Sequence, residues 1–264
     1  MNNLKKIILI LLCIICSTKL FAYSFSVITY GDTIYYDVTS SSSPYTVAVT
    51  FSSAYTNSYT GSISIPSSVT YNSINYSVTS IGDYAFHDCS GLTSVSVPNT
   101  ILLIGQNAFY YCTGLTYISI PATVTSIGQN AFVNCINLTT IIIPNTMTVI
   151  KAGTFLKCSK LSSISIPNSI IKIEDYAFEA CKNLTSLTIP NSVTTIGVGA
   201  FDSCISLTNI VLGNSIDTIK DYAFQSCVGL TKILLKKTIP PKIYTNTFNY
   251  VNRTIPVYVP CGSS

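Results

Sequence analysis

Seven cysteines, Cys89, Cys112, Cys135, Cys158, Cys181, Cys204 and Cys227, stand 23 residues apart with no slip in the count. Phenylalanine keeps the same beat at Phe86, Phe109, Phe132, Phe155, Phe178, Phe201 and Phe224, and leucine at Leu92, Leu115, Leu138, Leu161, Leu184, Leu207 and Leu230. A period of this size means one supersecondary unit repeated along the chain. Such a unit cannot bury its own apolar side, so successive units must stack, each covering the next. The chain is therefore expected to be one elongated solenoid.

Residues 115–137 show what a single coil does. Leu115, Ile118 and Ile120 alternate with Tyr117 and Ser119, the period-two pattern of a short strand with one buried face. Pro121 ends it, since proline cannot donate to a ladder. Val124 and Ile127 turn inward along a second extended stretch, and Gly128 redirects the chain. Residues 129–135 read as one or two short helical turns, with Ala131, Phe132 and Cys135 on one face by their spacing. The strands, beginning near Ser62, Leu92, Leu115, Leu138, Leu161, Leu184, Leu207, Leu230 and Thr254, are expected to form a single parallel sheet along one side. At a strand spacing of about 4.8 Å the rod would be about 40 Å long. The turn after the inward isoleucine is Gly82, Gly105, Gly128, Lys151, Glu174, Gly197 and Lys220. Lysine and glutamate avoid positive φ, so this position does not require it. The turn after the strand favours asparagine, at Asn99, Asn145, Asn168, Asn191 and Asn214, which suits side-chain bonding to nearby backbone.

The ends depart from the period. Lys5 and Lys6 precede the apolar run 7–16, and Leu20-Phe21-Ala22 follows. This is the pattern of a secretory signal peptide over residues 1–22; the alternative is an uncleaved anchor, for which so short a run is poorly suited. Residues 23–61 alternate as strands at 25–30, 33–38 and 45–51, with Gly31-Asp32 as a hairpin turn, and are expected to form a β-rich N-terminal cap. The first coil carries an insert around 71–78 that should make a protruding hairpin. The solenoid of 23-residue coils is placed at 62–260, leaving 261–264 as a truncated C-terminal end. A solenoid end normally needs a polar cap, so either the degenerate last coil suffices or the chain is a fragment of a longer one, the second being the favoured expectation.

Charged residues make up only 9% of the chain. Without residues 1–22 there remain 11 basic and 10 acidic side chains, and they are unevenly placed. Residues 23–150 hold Asp32, Asp37, Asp83 and Asp88 and no lysine or arginine, whereas 151–264 hold all 11 basic residues against six acidic ones. This reads either as solvation of the later coils or as a weak preference for anionic partners. Nucleic acid is not an expected partner, because there is no dense basic stripe.

Cysteines in an exported chain invite a disulfide framework. Stacking argues otherwise: equivalent positions lie about 4.8 Å apart with parallel side chains, whereas a disulfide needs converging Cβ atoms about 3.8 Å apart. The seven are expected to be a buried, reduced column of small apolar fillers. No CxxC occurs in the mature chain and no histidine shares the column, so neither a metal nor another cofactor is expected. His87, the single histidine, should face outward beside Asp88. The other coils place Tyr110, Val133, Leu156, Glu179, Asp202 and Gln225 at its position, so no catalytic grouping is repeated around it. Asp83, Asp175 and Asp221 read as caps of the short helices.

The repeat L-T-x-I-x-I-P-x-x-V-x-x-I-G-x-x-A-F-x-x-C-x-x, held over residues 62–260, resembles the BspA-like leucine-rich repeat family. The resemblance implies a curved leucine-rich repeat solenoid, at the cell surface or secreted, linked to adhesion and host-protein binding. Members usually continue past the final V-P-x-G-S with a short helix, which strengthens the expectation of a fragment. Membrane contact would come only through the signal peptide or a missing anchor. On the strand side, two outward columns are the candidate ligand-binding face. One is Ser94, Tyr117, Thr140, Ser163, Ser186, Asn209 and Lys232; the other is Ser96, Ser119, Ile142, Ser165, Thr188, Val211 and Leu234. Solenoids commonly bind along such extended faces, although serine and threonine ladders also stabilise sheets without any ligand. The expected function is binding of a host or extracellular protein or glycan. A passive spacer holding another domain is the alternative, and an enzyme is the least favoured reading.

Overall fold

In a computed structural model, residues 23–52 and 59–260 are described; the expected signal peptide and the residues after 260 lie outside them. The chain is a leucine-rich repeat solenoid of about eight turns with a β-rich cap at its N-terminal end. Strand β1 (Phe25–Thr29) and strand β2 (Asp32–Ser40) form an antiparallel hairpin. Its tight turn is Tyr30-Gly31, both with positive φ, one residue earlier than expected. Strand β3 (Thr46–Thr50) pairs antiparallel with β2. Strand β4 (Gly61–Ser64) opens the first coil. The insert forms a second hairpin of β5 (Ser68–Tyr71) and β6 (Ile74–Ile81), turning at Asn72-Ser73 with positive φ. This hairpin does not protrude freely. Val69, Tyr76 and Val78 are buried, and Tyr71 stacks on Phe25 with ring centroids 4.2 Å apart. β3 pairs parallel with β6, and β6 pairs parallel with Leu103–Ile104. An antiparallel cap is thus joined to a parallel ladder, and the first coil's edge is covered.

The expectation of a single sheet on one side is corrected to two lines of parallel strands. The first, on the strand face, comprises β4, Leu92–Ser96 and Tyr117–Ser119, then resumes as Ser186–Thr188, Asn209–Leu212, Lys232–Leu235 and Val257–Tyr258. The second runs from the cap through Leu103–Ile104 and Ser126–Ile127, and resumes from Val149–Ile150 to Lys242–Ile243. Both lines break beside the coil 138–160. On the strand face only the bridge Ile142–Ser165 remains there. The N–H of Thr139 lies 3.5 Å from Thr116 O, whereas Thr116 to Thr93 and Thr208 to Thr185 are 3.0 and 2.9 Å. This coil carries the inward residues Met147 and Thr154, both buried, where the preceding coil has Val124 and Ala131 and the following one Ile170 and Ala177. Extra volume in a close-packed column pushes its neighbours apart. The Phe132–Phe155 centroid distance, 5.7 Å, is accordingly the widest step in the phenylalanine stack.

The short helical turns are also corrected: no helix forms among the described residues. In 82–89, Ala85, His87 and Cys89 donate their N–H to the carbonyls three residues back, at Gly82, Tyr84 and Phe86. The N–H groups of Tyr84, Phe86 and Asp88 instead donate to Gln106, Ala108 and Tyr110 of the next coil, at 3.0, 2.7 and 2.8 Å. A helix would keep all these donors within the segment. Left-handed residues prevent that. Tyr84, Asn107, Asn130, Gly153, Tyr176, Gly199 and Tyr222, and again Asp88, Tyr111, Asn134, Lys157, Ala180, Ser203 and Ser226, all have φ between 52° and 62°. Each turns alternate amides along the solenoid axis, so this side of each coil is also stitched to its neighbours by backbone bonds. The position after the inward isoleucine is not left-handed, as expected: among its glycines, Gly82, Gly105, Gly128 and Gly197 lack positive φ. The aspartates cap the next coil in place of a helix. Asp83 Oδ1 accepts the N–H of Gln106 at 2.7 Å and Asp175 Oδ1 that of Val198 at 2.8 Å.

Inside, the phenylalanines stack from Phe86 to Phe248, with centroids 4.9–5.7 Å apart and planes within 18°. Tyr59 of the cap closes the top against Phe86 at 4.7 Å. Its hydroxyl donates to Thr50 O at 2.9 Å and accepts the N–H of Tyr35 at 3.1 Å. Beside the stack run the seven cysteines, all buried. From Cys112 to Cys227, each thiol points to the carbonyl of the phenylalanine 26 residues earlier: Cys112 to Phe86 at 2.9 Å, Cys181 to Phe155 at 3.3 Å, Cys227 to Phe201 at 3.2 Å. Burial pushes the thiols' acidity far down, with Cys227 raised to about 12 and Cys112, Cys135, Cys181 and Cys204 well above their ordinary value. A protonated thiol is a weak donor, so the column is apolar filling that also satisfies a backbone acceptor.

Candidate functional site on the strand face

Every residue of the two outward columns lies on the solvent side of the strand line, because the inward partners Val95, Ile118, Ile141, Leu187, Ile210 and Ile233 take the buried face. Ser94, Val211 and Leu234 are partly covered and the rest are exposed. The face is not uniform. Ser94 Oγ donates to Ser62 Oγ at 2.8 Å, Asn209 Nδ2 to Thr208 Oγ1 at 3.1 Å, and Lys232 Nζ lies 4.9 Å from the centre of the Tyr258 ring. Tyr117, Ser119, Thr140 and Ile142 border a small cleft of about 50 Å³ at the break in the strand line. Tyr117 and Ile142 expose 51% and 72% of their surface there, the exposed large apolar side chains of the two columns. Ser96, Ser163, Val211 and Leu234 border neither this cleft nor the larger cavity.

That larger cavity, about 480 Å³, is on the C-terminal side of the break. Ser165, Ser186 and Thr188 from the outward columns line it together with Ile164, Ile166, Asn168, Pro190, Asn191 and Lys236. Three of its polar groups, Asn168, Asn191 and Lys236, are outside the residues singled out from the sequence. The asparagines read there only as turn formers bonding nearby backbone, whereas Asn191 Oδ1 accepts the N–H of Asn214 in the next coil at 3.1 Å. Lys236 occupies the position filled by Pro121, Pro144, Pro167 and Pro190 in earlier coils, and a break in the proline column was the available signal. Between Pro190 and Lys236 in that column stands Gly213, where an added Cβ would lie 2.3 Å from Pro190 O. The absent side chain lets these two coils approach closely, and Lys236, two coils on from Pro190, borders the same cavity. No acidic residue lines the cavity.

His87 is half-buried, its ring stacked on Tyr110 at 4.9 Å and its Nδ1 3.0 Å from Asp88 Oδ2. No group of three or more metal-ligating side chains occurs among the described residues.

Residues 52–185 and 148–261 match the family model of the BspA type leucine-rich repeat region, with 6 copies. The chain therefore belongs to the BspA-type leucine-rich repeat family. Among solved structures it is similar to a leucine-rich cell surface protein from Faecalibacterium prausnitzii, at 26% identity over 80% of this chain and 70% of that one, with a TM-score of 0.54. It is likewise similar to a leucine-rich repeat protein of T. pallidum, at 26% identity over 76% of this chain and 78% of that one, with a TM-score of 0.51. Comparison with curated proteins gives no match.

Proposed function

We propose that this protein is secreted or held at the cell surface, and that it binds an extracellular partner, a host protein or glycan, through the strand face. The observation carrying this reading is the face itself. A solvent-exposed run of hydroxyl and apolar side chains, almost free of charge, opens into a cleft and a cavity where the strand line breaks. Interior-quality packing on the opposite side of the same strands leaves the face rigid, so little ordering is lost when a ligand docks. Exposed Tyr117 and Ile142 supply the kind of apolar anchors that dominate protein contacts. Export is supported by the basic and then apolar start at Lys5-Lys6 and 7–16, and by the similarity to a cell surface protein that covers 80% of this chain. The protein acts by binding and not by catalysis. The most chemically capable side chain, His87, is packed against tyrosine, and the nearest thiol, Cys89, is directed to the His87 carbonyl at 3.8 Å.

The test is a binding panel of immobilised matrix proteins and glycans, read by biolayer interferometry with the purified protein. Tyr117→Ser combined with Ile142→Ser should weaken capture at least ten-fold. Tyr222→Ser, on the turn side, should not. Equal binding by both variants to every captured ligand would remove the strand face from consideration.

A further inference from the structure

The 480 Å³ cavity on the strand face carries a chemistry more specific than general adhesion. We propose that it is a saccharide site, and that its preferred ligand is an acidic sugar bearing a carboxylate. This inference rests on the strand-face reading above and names the ligand class for one part of that face.

Four observations converge on it. The volume falls within the range of small-molecule sites. Three hydroxyls, Ser165, Ser186 and Thr188, and two amides, Asn168 and Asn191, line the cavity. Hydroxyls both donate and accept, and amides present a donor and an acceptor side by side, which matches the neighbouring hydroxyls of a sugar ring. Asn191 spends its Oδ1 on the Asn214 N–H, so its Nδ2 donors are the part left for a ligand. Ile164, Ile166 and Pro190 add apolar surface for the C–H face of the ring.

The charge decides between a neutral and an acidic sugar. Lys236 is the one ionic group of the lining. Its neighbours in sequence are occupied: Lys237 pairs with Asp217 at 2.7 Å and Lys232 lies over Tyr258. Lys236 has no ion pair with an acidic side chain among the described residues. An uncompensated ammonium in a hydroxyl-rich, half-enclosed pocket is an electrostatic match for a single carboxylate, and a charge-assisted hydrogen bond there is stronger than a neutral one. One cation is too few for nucleic acid or a heavily sulfated chain, which need a row of them.

The experiment is titration calorimetry of the purified full chain with four probes. These are an oligogalacturonide and its neutral counterpart, the fully methyl-esterified oligogalacturonide, and sialyllactose and its neutral counterpart, lactose. At least one acidic probe should bind ten-fold or more tightly than its neutral partner, and which one does so identifies the source of the carboxylate. Lys236→Gln should erase that preference, and Ser186→Ala with Thr188→Val should weaken the acidic and neutral probes alike. Circular dichroism of each variant verifies the fold. Equal binding of acidic and neutral probes overturns the acidic preference. Acidic binding untouched by Lys236→Gln overturns the site. If no saccharide binds while matrix-protein capture still depends on Tyr117 and Ile142, the inference fails and the strand-face reading survives. If neither occurs, both fail.

Discussion

Replacing Phe178 with leucine tests whether the phenylalanine stack holds the coils together. Phe178 is fully buried, with Phe155 at 5.2 Å on one side and Phe201 at 5.1 Å on the other. Parallel rings at these centroid distances are offset-stacked, an arrangement worth about 0.5–1.5 kcal/mol per pair beyond burial. Leucine keeps most of the apolar area but loses both pairs, so Phe178→Leu should cost about 1–3 kcal/mol. Among the described residues Phe248 stacks on one ring, Phe224 at 5.3 Å, and it is only half-buried. Phe248→Leu should therefore cost no more than about 1.5 kcal/mol. Because each coil touches only its neighbours, a lesion at Phe178 also weakens the coupling between the two ends, whereas one at Phe248 frays a single end. Urea denaturation followed by far-ultraviolet circular dichroism gives both costs. Tyrosine emission supplies a second probe in a chain that has 18 tyrosines and no tryptophan. For Phe178→Leu the two probes should separate; for Phe248→Leu they should coincide. Equal losses at the two positions, with coincident transitions in both, would refute the reasoning.

Further expectations follow from the coil interior and its turns. The buried thiols have folded pKa values raised above their ordinary 9.0, Cys227 to about 12. Their contribution is intact below about pH 9 and is lost as pH rises from 9 toward 12, because only the unfolded thiols then ionise. Six such thiols, at about 1.4 kcal/mol per pH unit each, give a fall approaching 8 kcal/mol per unit well above pH 9. Urea midpoints in reducing buffer should thus hold steady from pH 7 to 8.5 and drop sharply by pH 10, and a flat profile would contradict a buried reduced column. Lys157, half-exposed and with φ 61°, carries left-handed strain worth about 1 kcal/mol. Lys157→Asn should raise the melting temperature by a few degrees; a lowered one would show the turn is not strained. Gly213→Ala should destabilise by about 1–3 kcal/mol, since its Cβ meets Pro190 O at 2.3 Å. Asp175→Ala removes the acceptor of the Val198 N–H and should cost about 1–2 kcal/mol in the same denaturation assay.

The period of 23, the inward columns and seven of the nine expected strand positions were legible in the amino-acid sequence, because burial selects residue type directly; at the coils of Leu138 and Leu161 only the bridge Ile142–Ser165 forms. A position that faces the stack must be phenylalanine-sized, and one that faces the coil seam must be small. The outward columns followed by elimination, and the structure places all of them on solvent. What remained hidden has one physical cause: it depends on how a coil sits on its neighbour. Ala131, Phe132 and Cys135 share the spacing of a helix face. That spacing cannot reveal that Asn130 and Asn134 are left-handed and send alternate amides to the next coil. Nor can a repeat column show that one step of the stack widens, and both strand lines break, beside the coil that carries Met147 and Thr154.

The candidate site divides in the same way. Ser165, Ser186 and Thr188 were readable as exposed hydroxyls from strand alternation alone. Their union with Asn168, Asn191 and Lys236 in one cavity was not, since these come from three coils and from the turn beyond the strand. Sequence periodicity determines which side chains face in and which face out, because each coil repeats the same local choice between core and water. Only the tertiary structure decides where two outward columns become a pocket. That depends on how the coils sit on one another, which brings side chains of three coils, Lys236 among them, to one cavity.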